Sequence, residues 1–316
     1  MTPNREQLPQ LNSGLFITDG GLETVLIFNE GINLPDFAAF VLLKDAMGEM
    51  ALRRYFNRYV AIAQKHDVGL ILESPTWRAS SDWGERLGYS AEELADVNRR
   101  AIALLQDIRS EGETKTSAMV ISGCVGPRGD GYSPTSQMDT QTAQAYHSPQ
   151  IAAFAAAGAD MVSAITMTYV EEAIGIARAA QIADLPAVIS FTVETDGRLP
   201  SGQSLKRAIE QVDSETNRSV AYYMINCAHP THFQNTLAAS EPWTDRISGV
   251  RANASRKSHA ELDESETLDS GNPTELGQQS VALRERLRNL HVLGGCCGTD
   301  DRHIEAICEA YGLAVA

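Results

Sequence analysis

Three of the five cysteines in this 316-residue chain lie in two short segments, MINCAHP (224–230) and GGCCGTD (294–300). Thiolates bind Zn²⁺ tetrahedrally, and a site with three protein ligands keeps a fourth position open, as catalytic zinc sites do. The glycines beside Cys296 and Cys297 favour a backbone that turns both side chains toward one ion. If the two segments meet in the fold, Cys227, Cys296 and Cys297 are the candidate ligands of a catalytic zinc.

Other uses of neighbouring cysteines stay open at this point. Adjacent cysteines can form a vicinal disulfide or a redox pair, but that geometry is strained and the chain has no CxxC motif. The odd number of cysteines also disfavours a disulfide framework. Cys308 lies in an apolar helical pattern, HIEAICEAYG, where a cysteine usually serves packing. The pattern as a whole favours zinc over redox chemistry.

Eight apolar, β-branched runs recur along the chain and predict eight buried strands. They span residues 15–21, 68–74, 117–123, 160–167, 187–193, 222–228, 246–253 and 291–295. Helical patterns alternate with them, for example over 90–110, 142–158, 170–183 and 274–290. This alternation predicts an α/β fold, a (β/α)8 TIM barrel, as a single domain over residues 1–316. An open dinucleotide-binding sheet is disfavoured because no GxGxxG follows the first run.

One segment departs from the alternation. Residues 254–273, ASRKSHAELDESETLDSGNP, are polar and acidic and have no apolar period. They predict a long surface loop after the seventh strand.

A barrel of this kind carries its chemistry at the carboxyl ends of its strands, where the following loops meet. The predicted strand ends give these candidate site residues: Asp19, Glu73, Cys124, Thr166, Glu194, Cys227, Asn253, Cys296 and Cys297. Strands six and eight flank strand seven, so their three cysteines are expected to converge. Aromatic residues in the loops after strands two, three and four are candidates to pack around a cationic ligand: Trp77, Trp83, Tyr132 and Tyr169.

The histidines are expected to serve structure rather than the metal. His229 and His232, in CAHPTH, fit a loop followed by a helix start, and three cysteines already suffice for zinc. His147, in a helical pattern, and His259, in the acidic segment, are expected to be solvated.

A net charge of −15 disfavours nucleic acid and anionic membranes as partners, because both select clustered Lys and Arg. No stretch approaches the roughly 18 apolar residues of a membrane span, and the polar N-terminal residues lack the apolar region of a signal peptide. We therefore expect a cytoplasmic protein that acts on small molecules. A homo-oligomer is a further expectation, although no heptad run specifies its interface.

MINCAHP together with GGCCGTDDRHI (294–304) resembles the zinc-binding signature of the homocysteine S-methyltransferase family. Three further segments resemble motifs of that family: TDGGLET (18–24), SGCVGPRGDGY (122–132) and SFTVETDGRLPSGQSL (190–205). The resemblance implies a (β/α)8 barrel with zinc at its mouth and makes Cys227, Cys296 and Cys297 its ligands. It also implies that Asp19 lies near the amino group of the acceptor amino acid.

One position departs from this resemblance. Relatives that use homocysteine usually carry a Glu near the end of strand four, and alignment on VEEA places Ile165 there. An apolar side chain cannot replace a charge-assisted contact with an ammonium group. Glu23, Glu73 and Glu194 are candidates to restore the lost charge. With Asp19, Thr166 and Asn253 they complete the predicted substrate-binding residues.

Zinc would favour loss of the acceptor's thiol proton, and the thiolate is the nucleophile. The donor must present a methyl group on a good leaving group, such as a sulfonium or a quaternary ammonium. We therefore predict a zinc-dependent S-methyltransferase that acts on homocysteine or a related small thiol. One alternative is an enzyme that uses another thiol or demethylates an environmental sulfonium compound. Another is a non-enzymatic barrel with structural zinc, which requires four closed ligands.

Overall fold

Eight parallel strands close into one barrel, in which each strand pairs with the next along the chain and the last pairs with the first. The structure is a computed structural model that describes residues 3–12, 14–132, 137–237, 241–265 and 267–315. The strands are β1 Phe16–Ile17, β2 Gly69–Glu73, β3 Met119–Val125, β4 Met161–Met167, β5 Ala187–Thr192, β6 Val220–Asn226, β7 Ile247–Ala252 and β8 Val292–Gly295. The predicted (β/α)8 barrel is confirmed.

Helices surround the barrel and connect its strands. In the described ranges they are α1 Pro3–Glu6, α2 Leu22–Thr24, α3 Ala46–His66, α4 Ser81–Arg86, α5 Ala91–Gly112, α6 Thr140–Ala157, α7 Val170–Ile182, α8 Leu205–Glu215, α9 Pro230–Phe233, α10 His259–Asp263, α11 Pro273–Ala282 and α12 Asp301–Val315. Local signals set their ends. Ser90 and Glu93 form a capping box at the start of α5, and Gly158 ends α6 with a φ of 84°.

The barrel interior changes from apolar to polar along its axis. Side chains of a strand alternate between its two faces, so residues two apart share the interior face. Ile71 and Glu73 follow this rule on β2, as do Gly249 and Arg251 on β7. The apolar layer includes Phe16, Val120, Met161, Val188, Tyr222 and Val292, all buried. The polar layer, which includes Glu73 and Arg251, lies nearer the carboxyl ends of the strands. Charged groups therefore lie at the mouth of the barrel.

Several predicted boundaries shift in the structure. The first strand has two residues rather than seven, and the sixth begins two residues earlier than predicted. Cys124 was expected just beyond the third strand and instead lies inside β3. Each shift is at a strand end, where apolar composition alone does not mark the last paired residue.

The acidic segment is not purely a surface loop. It contains α10, which begins with a capping box of Ser258 and Glu261, and its residues Ala254, Ser255 and His259 are buried. The chain therefore folds back over the barrel mouth after β7. No helix in the described ranges is both long enough and apolar enough to cross a membrane.

Candidate active site

A cavity opens at the carboxyl ends of the strands and contains most of the predicted site residues. We call Asp19, Glu73 and Arg251 its floor, and Phe37, Arg78, Asp130 and Asp263 its rim. Between them lie Cys227, Cys296 and Cys297, which we call the cysteine cluster. Glu23, Cys124, Ile165 and Thr166 also line the cavity.

The cysteine cluster brings β6 and β8 together as expected. The Sγ atoms of Cys227, Cys296 and Cys297 all lie within 4.8 Å of one another. Cys227 Sγ is 2.9 Å from Cys296 Sγ and 3.6 Å from Cys297 Sγ. Zn–S bonds of about 2.3 Å in a tetrahedron place sulfurs about 3.8 Å apart, so small shifts fit the three thiolates around one zinc. In the described part of the chain no fourth ligand group joins this cluster.

The crowded thiols do not titrate alike. Hydrogen bonding with Cys227 lowers the pKa of the Cys296 thiol well below its usual range, and the same contact raises the pKa of Cys227. The first thiolate to form is thus stabilised by its neighbours. Such a preformed thiolate is the state that binds a metal.

The backbone of Cys227 is held in place by hydrogen bonds to its carbonyl group. The residue has a φ of 55°, which is uncommon outside glycine, so its position needs support. Its carbonyl oxygen accepts a hydrogen bond from His259 Nε2 at 2.7 Å and another from Asn253 Nδ2 at 3.0 Å. Glu194 Oε1 lies 3.2 Å from His259 Nδ1 and orients that ring. Asn253 and Glu194 thus act on the cluster through Cys227, and neither lines the cavity.

This arrangement corrects one expectation. His259 was predicted to be solvated, but it is buried, because α10 folds back against β6 and the ring fills the space beside Cys227. His147 is also buried rather than solvated, and its Nε2 lies 2.9 Å from Glu172 Oε1 inside the helical layer. His229 caps α9 and stays outside the cluster, as predicted.

The glycines around the paired cysteines act mainly through close packing. A Cβ at Gly295 would lie 2.0 Å from Thr299 Oγ1, so no larger residue fits. Gly298 has a φ of 80° and ends the turn that carries Cys296 and Cys297. Glycine is required at both positions, but at Gly295 the reason is close contact with Thr299 of the same turn rather than the backbone freedom that was expected.

Arg251 dominates the floor and was missed by sequence analysis. Its Nη2 donates to Asp19 Oδ1 at 2.6 Å, and its Nη1 lies 3.9 Å from Glu73 Oε1. Tyr55 donates to the other Asp19 oxygen at 3.0 Å. The available signal was a lone arginine at an interior position of an otherwise apolar strand, SGVRA. Such a residue requires buried carboxylates around it.

The two carboxylates of the floor differ in their contacts. Both are 4% exposed, but Asp19 accepts hydrogen bonds at both oxygens, whereas Glu73 lies near the Ser122 and Ser163 hydroxyls and has no hydrogen-bond partner within 3.5 Å among the described residues. Burial raises the pKa of Glu73 to about 7, although Arg251 opposes the shift. Burial also raises the pKa of Glu23 to about 7. With Asp19 and Glu73 ionised, the floor carries one net negative charge.

Thr166 and Ile165 form the wall at the end of β4. Thr166 has a φ of 68°, held because Asn226 accepts from its backbone N–H and donates to its hydroxyl, both at 2.9 Å. Ile165 faces the cavity because it shares the interior face of β4 with Met161, and its side chain is buried. The wall is therefore apolar where relatives are expected to carry a carboxylate.

Two of the four predicted aromatic residues reach the cavity, namely Trp77 and Tyr132. The Tyr132 hydroxyl lies 3.2 Å from Cys227 Sγ, and its ring stacks on His259 with centroids 4.1 Å apart. Trp77 Nε1 donates to the Ile165 carbonyl oxygen at 3.1 Å. Trp83 and Tyr169 do not line it. The apolar faces near the cluster can shield a reaction from water.

The sequence model of the homocysteine S-methyltransferase family matches residues 16–311. The chain belongs to this family. Homocysteine S-methyltransferase 1 of Brassica oleracea var. italica is 24% identical over 321 residues, which cover 96% of this chain and 95% of that protein.

Solved structures share the fold of this family member. The homocysteine methyltransferase MmuM from Escherichia coli, in its oxidized form, aligns with a TM-score of 0.74 at 18% identity, over 97% of this chain and 99% of that one. Its metallated form aligns with a TM-score of 0.72 at 19% identity, over 98% and 99%. These structures confirm the fold, and the family model confirms the predicted family and its thiol methyltransferase activity.

Proposed function

We propose that this homocysteine S-methyltransferase family member is zinc-dependent and transfers a methyl group from a sulfonium or quaternary ammonium donor to homocysteine or a related small thiol. The observation that carries the proposal is the cysteine cluster, whose three sulfurs converge beside a negatively charged floor. Three ligands suit an open catalytic site, whereas a structural zinc needs four. The donor set therefore fits zinc and supports the enzymatic alternative.

Cys227, Cys296 and Cys297 would hold the ion. When bound, Zn²⁺ supplies an open coordination position that stabilises the acceptor sulfur as a thiolate at neutral pH. The hydrogen bonds of His259 and Asn253 fix the Cys227 carbonyl group, so one ligand is oriented before any substrate binds.

The floor gives the acceptor its second contact. An amino-acid thiol that places its sulfur at the cluster directs its ammonium group toward the floor, whose net charge is −1 when Asp19 and Glu73 are both ionised. Glu73 is the favoured partner because neither of its oxygens has a hydrogen-bond partner within 3.5 Å in the described part of the chain, whereas Asp19 is engaged by Arg251 and Tyr55. Binding of an ammonium group would neutralise the floor and compensate for the missing carboxylate at Ile165.

The methyl group moves by direct displacement. The acceptor sulfur attacks the methyl carbon from the side opposite the leaving group, so a carbon–sulfur bond forms as the bond from that carbon to the onium atom breaks. The onium atom takes the bonding electrons and leaves as a neutral amine or sulfide, and homocysteine becomes methionine. Trp77 and Tyr132 support this step by offering aromatic faces to an onium methyl.

Zinc content and the sulfur coordination of the metal test the proposal. Replacing Cys227, Cys296 or Cys297 by Ser should remove bound zinc and lower activity by more than the 10- to 100-fold that loss of an outer contact typically costs. Cys308→Ser is the matched control, because that buried thiol lies on α12 outside the cavity. Zinc-edge absorption should show three sulfur ligands that become four with homocysteine. Full zinc content in all three cluster variants would refute it.

Ile165 favours a second candidate, an acceptor other than homocysteine. Its buried apolar side chain lines the cavity at the position where a carboxylate is expected. If this residue limits homocysteine use, Ile165→Glu should strengthen homocysteine binding about tenfold, the gain of one charge-assisted contact. Ile165→Gln is the control of similar shape without the charge. Unchanged affinity in the Glu variant would remove Ile165 as the reason for altered acceptor choice.

A further inference from the structure

The rim carries the guanidinium group of Arg78, which forms no ion pair with any described residue. Arg78 has no ion-pair partner within 4.0 Å among the described residues. Its Nε and Nη1 atoms are buried and have no hydrogen-bond partner in the described part of the chain. Arg128, in the loop after β3, shows the ordinary case, since its Nε lies 2.7 Å from Asp82 Oδ2. Burying polar atoms without partners costs free energy, so the donors of Arg78 need an explanation.

Two indole rings fix the guanidinium in place. The Arg78 Cζ atom lies 3.7 Å from the ring centroid of Trp83 and 4.7 Å from that of Trp77. Trp77 is in turn anchored by its hydrogen bond to Ile165. Cation–π contacts of this kind orient a guanidinium without using its N–H donors. The head group is therefore held rigidly with Nε and Nη1 buried, and Nη2, which makes no hydrogen bond to a described residue, is the nitrogen open to the cavity.

The charges around Arg78 identify the class of ligand. Asp130, Asp263 and Glu23 line the same cavity, and this acidic surrounding attracts a cation. Arg78 lines the cavity as well, and it attracts an anion. Burial disfavours its charged form and lowers its pKa, but an arginine stays protonated at neutral pH. A rim with both signs of charge fits a small zwitterion better than a simple cation.

We propose that Arg78 forms a carboxylate-binding subsite at the rim and orients the methyl donor, a small onium compound that carries a carboxylate. The N–H groups of Nη2 can donate to a carboxylate oxygen, and because the indole rings hold the guanidinium, a bound donor is fixed in direction as well as position. Since the acceptor occupies the cysteine cluster and the floor, the rim is left to the donor. The assignment of Arg78 to the donor rests on the proposed function. The carboxylate subsite itself does not.

Equilibrium binding of two matched probes tests the subsite without turnover. The probes are dimethylsulfonioacetate and its neutral carboxamide, titrated calorimetrically into the zinc-loaded full chain with no thiol present. We expect the carboxylate probe to bind about 10- to 100-fold more tightly, the worth of one hydrogen-bonded charge pair. Arg78→Gln should reduce this ratio to about one, and Arg78→Lys should restore part of it.

Arg86→Gln is the control, because Arg86 also approaches Trp83, at 5.4 Å, but its side chain is 63% exposed, paired with Asp36 and outside the cavity. That variant should keep the full preference. Equal affinities in the unaltered protein, no binding of either probe, or a preference that survives in Arg78→Gln would each overturn the subsite. Zinc content and homocysteine coordination, measured on the same samples, report separately on the proposed function.

Discussion

Two arginines line one cavity and are built into it in opposite ways. Arg251, on the floor, is 7% exposed and surrounded by acceptors: Asp19, Glu73 and the carbonyl of Gly295. Arg78, on the rim, rests on indole rings and has no paired carboxylate among the described residues. The floor satisfies its cation internally and leaves the buried carboxylate of Glu73 without a hydrogen-bond partner within 3.5 Å among the described residues. The rim leaves the guanidinium group of Arg78 without an ion pair among the described residues.

This difference in pairing distinguishes an arginine that stabilises the site from an arginine that can bind a ligand. A buried guanidinium without partners would be too costly at the barrel centre, so Arg251 had to be matched by carboxylates. The excess of one carboxylate over cations then gives the floor affinity for an ammonium group. At the rim, partial exposure reduces the cost of an unpaired charge, so a free donor set can be kept for binding.

The strongest test of this comparison is removal of the floor cation. Arg251→Met should destabilise the fold by about 3–5 kcal/mol, because it leaves two buried carboxylates without their counter-charge. Urea unfolding at pH 8, above the pKa of about 7 that Glu73 has in the unaltered protein, measures the loss. Adding Glu73→Gln to Arg251→Met should recover part of it. A cost below about 1 kcal/mol would contradict the structural role assigned to Arg251.

The second test uses pH on the floor. Burial raises the pKa of Glu73 from 4.5 to about 7, so between these values the folded protein keeps a proton that the unfolded chain releases. Stability from this group is therefore present below about pH 4.5 and is lost as pH rises to about 7, by about 3 kcal/mol. Unfolding curves of the unaltered protein and Glu73→Gln, compared from pH 5 to 8, isolate this group from Glu23, which shifts in the same direction. Parallel pH profiles would show that Glu73 titrates normally.

Much of this architecture is readable from the sequence. Eight apolar runs predicted the barrel, and strand ends predicted the cysteine cluster, because parallel strands deliver their carboxyl ends to one mouth. Of the glycines in GGCCG, only Gly298 has the unusual backbone conformation that was expected, whereas Gly294 and Gly295 are required by close packing. These features depend on periodicity and spacing, which the sequence contains directly.

The contacts across the barrel could not be predicted from the sequence. Arg251 and Asp19 are 232 residues apart, and their pairing depends on register between β7, β8 and β1. His259 lies in a segment without an apolar period, yet a short capped helix brings it to Cys227. Arg78 was overlooked because it is distinguished only by the lack of an ion pair among the described residues. The sequence does not show which charges remain unpaired in the fold.

The third test asks what the floor binds. Glu73→Gln should weaken homocysteine binding about 10- to 100-fold through loss of a charged contact, while binding of propanethiol, which has no ammonium group, stays unchanged. Asp19→Asn should have a smaller effect on homocysteine, because Asp19 is already engaged by Arg251 and Tyr55. Calorimetric titration of the zinc-loaded variants measures both. Equal losses for the two thiols would remove the ammonium contact from the floor.

The smallest expected effect completes the comparison. Arg78→Gln should change the free energy of unfolding by less than about 1 kcal/mol, since it removes a partly exposed cation–π contact and no ion pair. Urea unfolding beside Arg251→Met, at the same pH, gives the ratio between the two arginines. A loss as large as that of Arg251→Met would mean that Arg78 supports the fold and that its free donors are incidental. A small loss, with the donor probe preference abolished, is the result that only a ligand-binding residue produces.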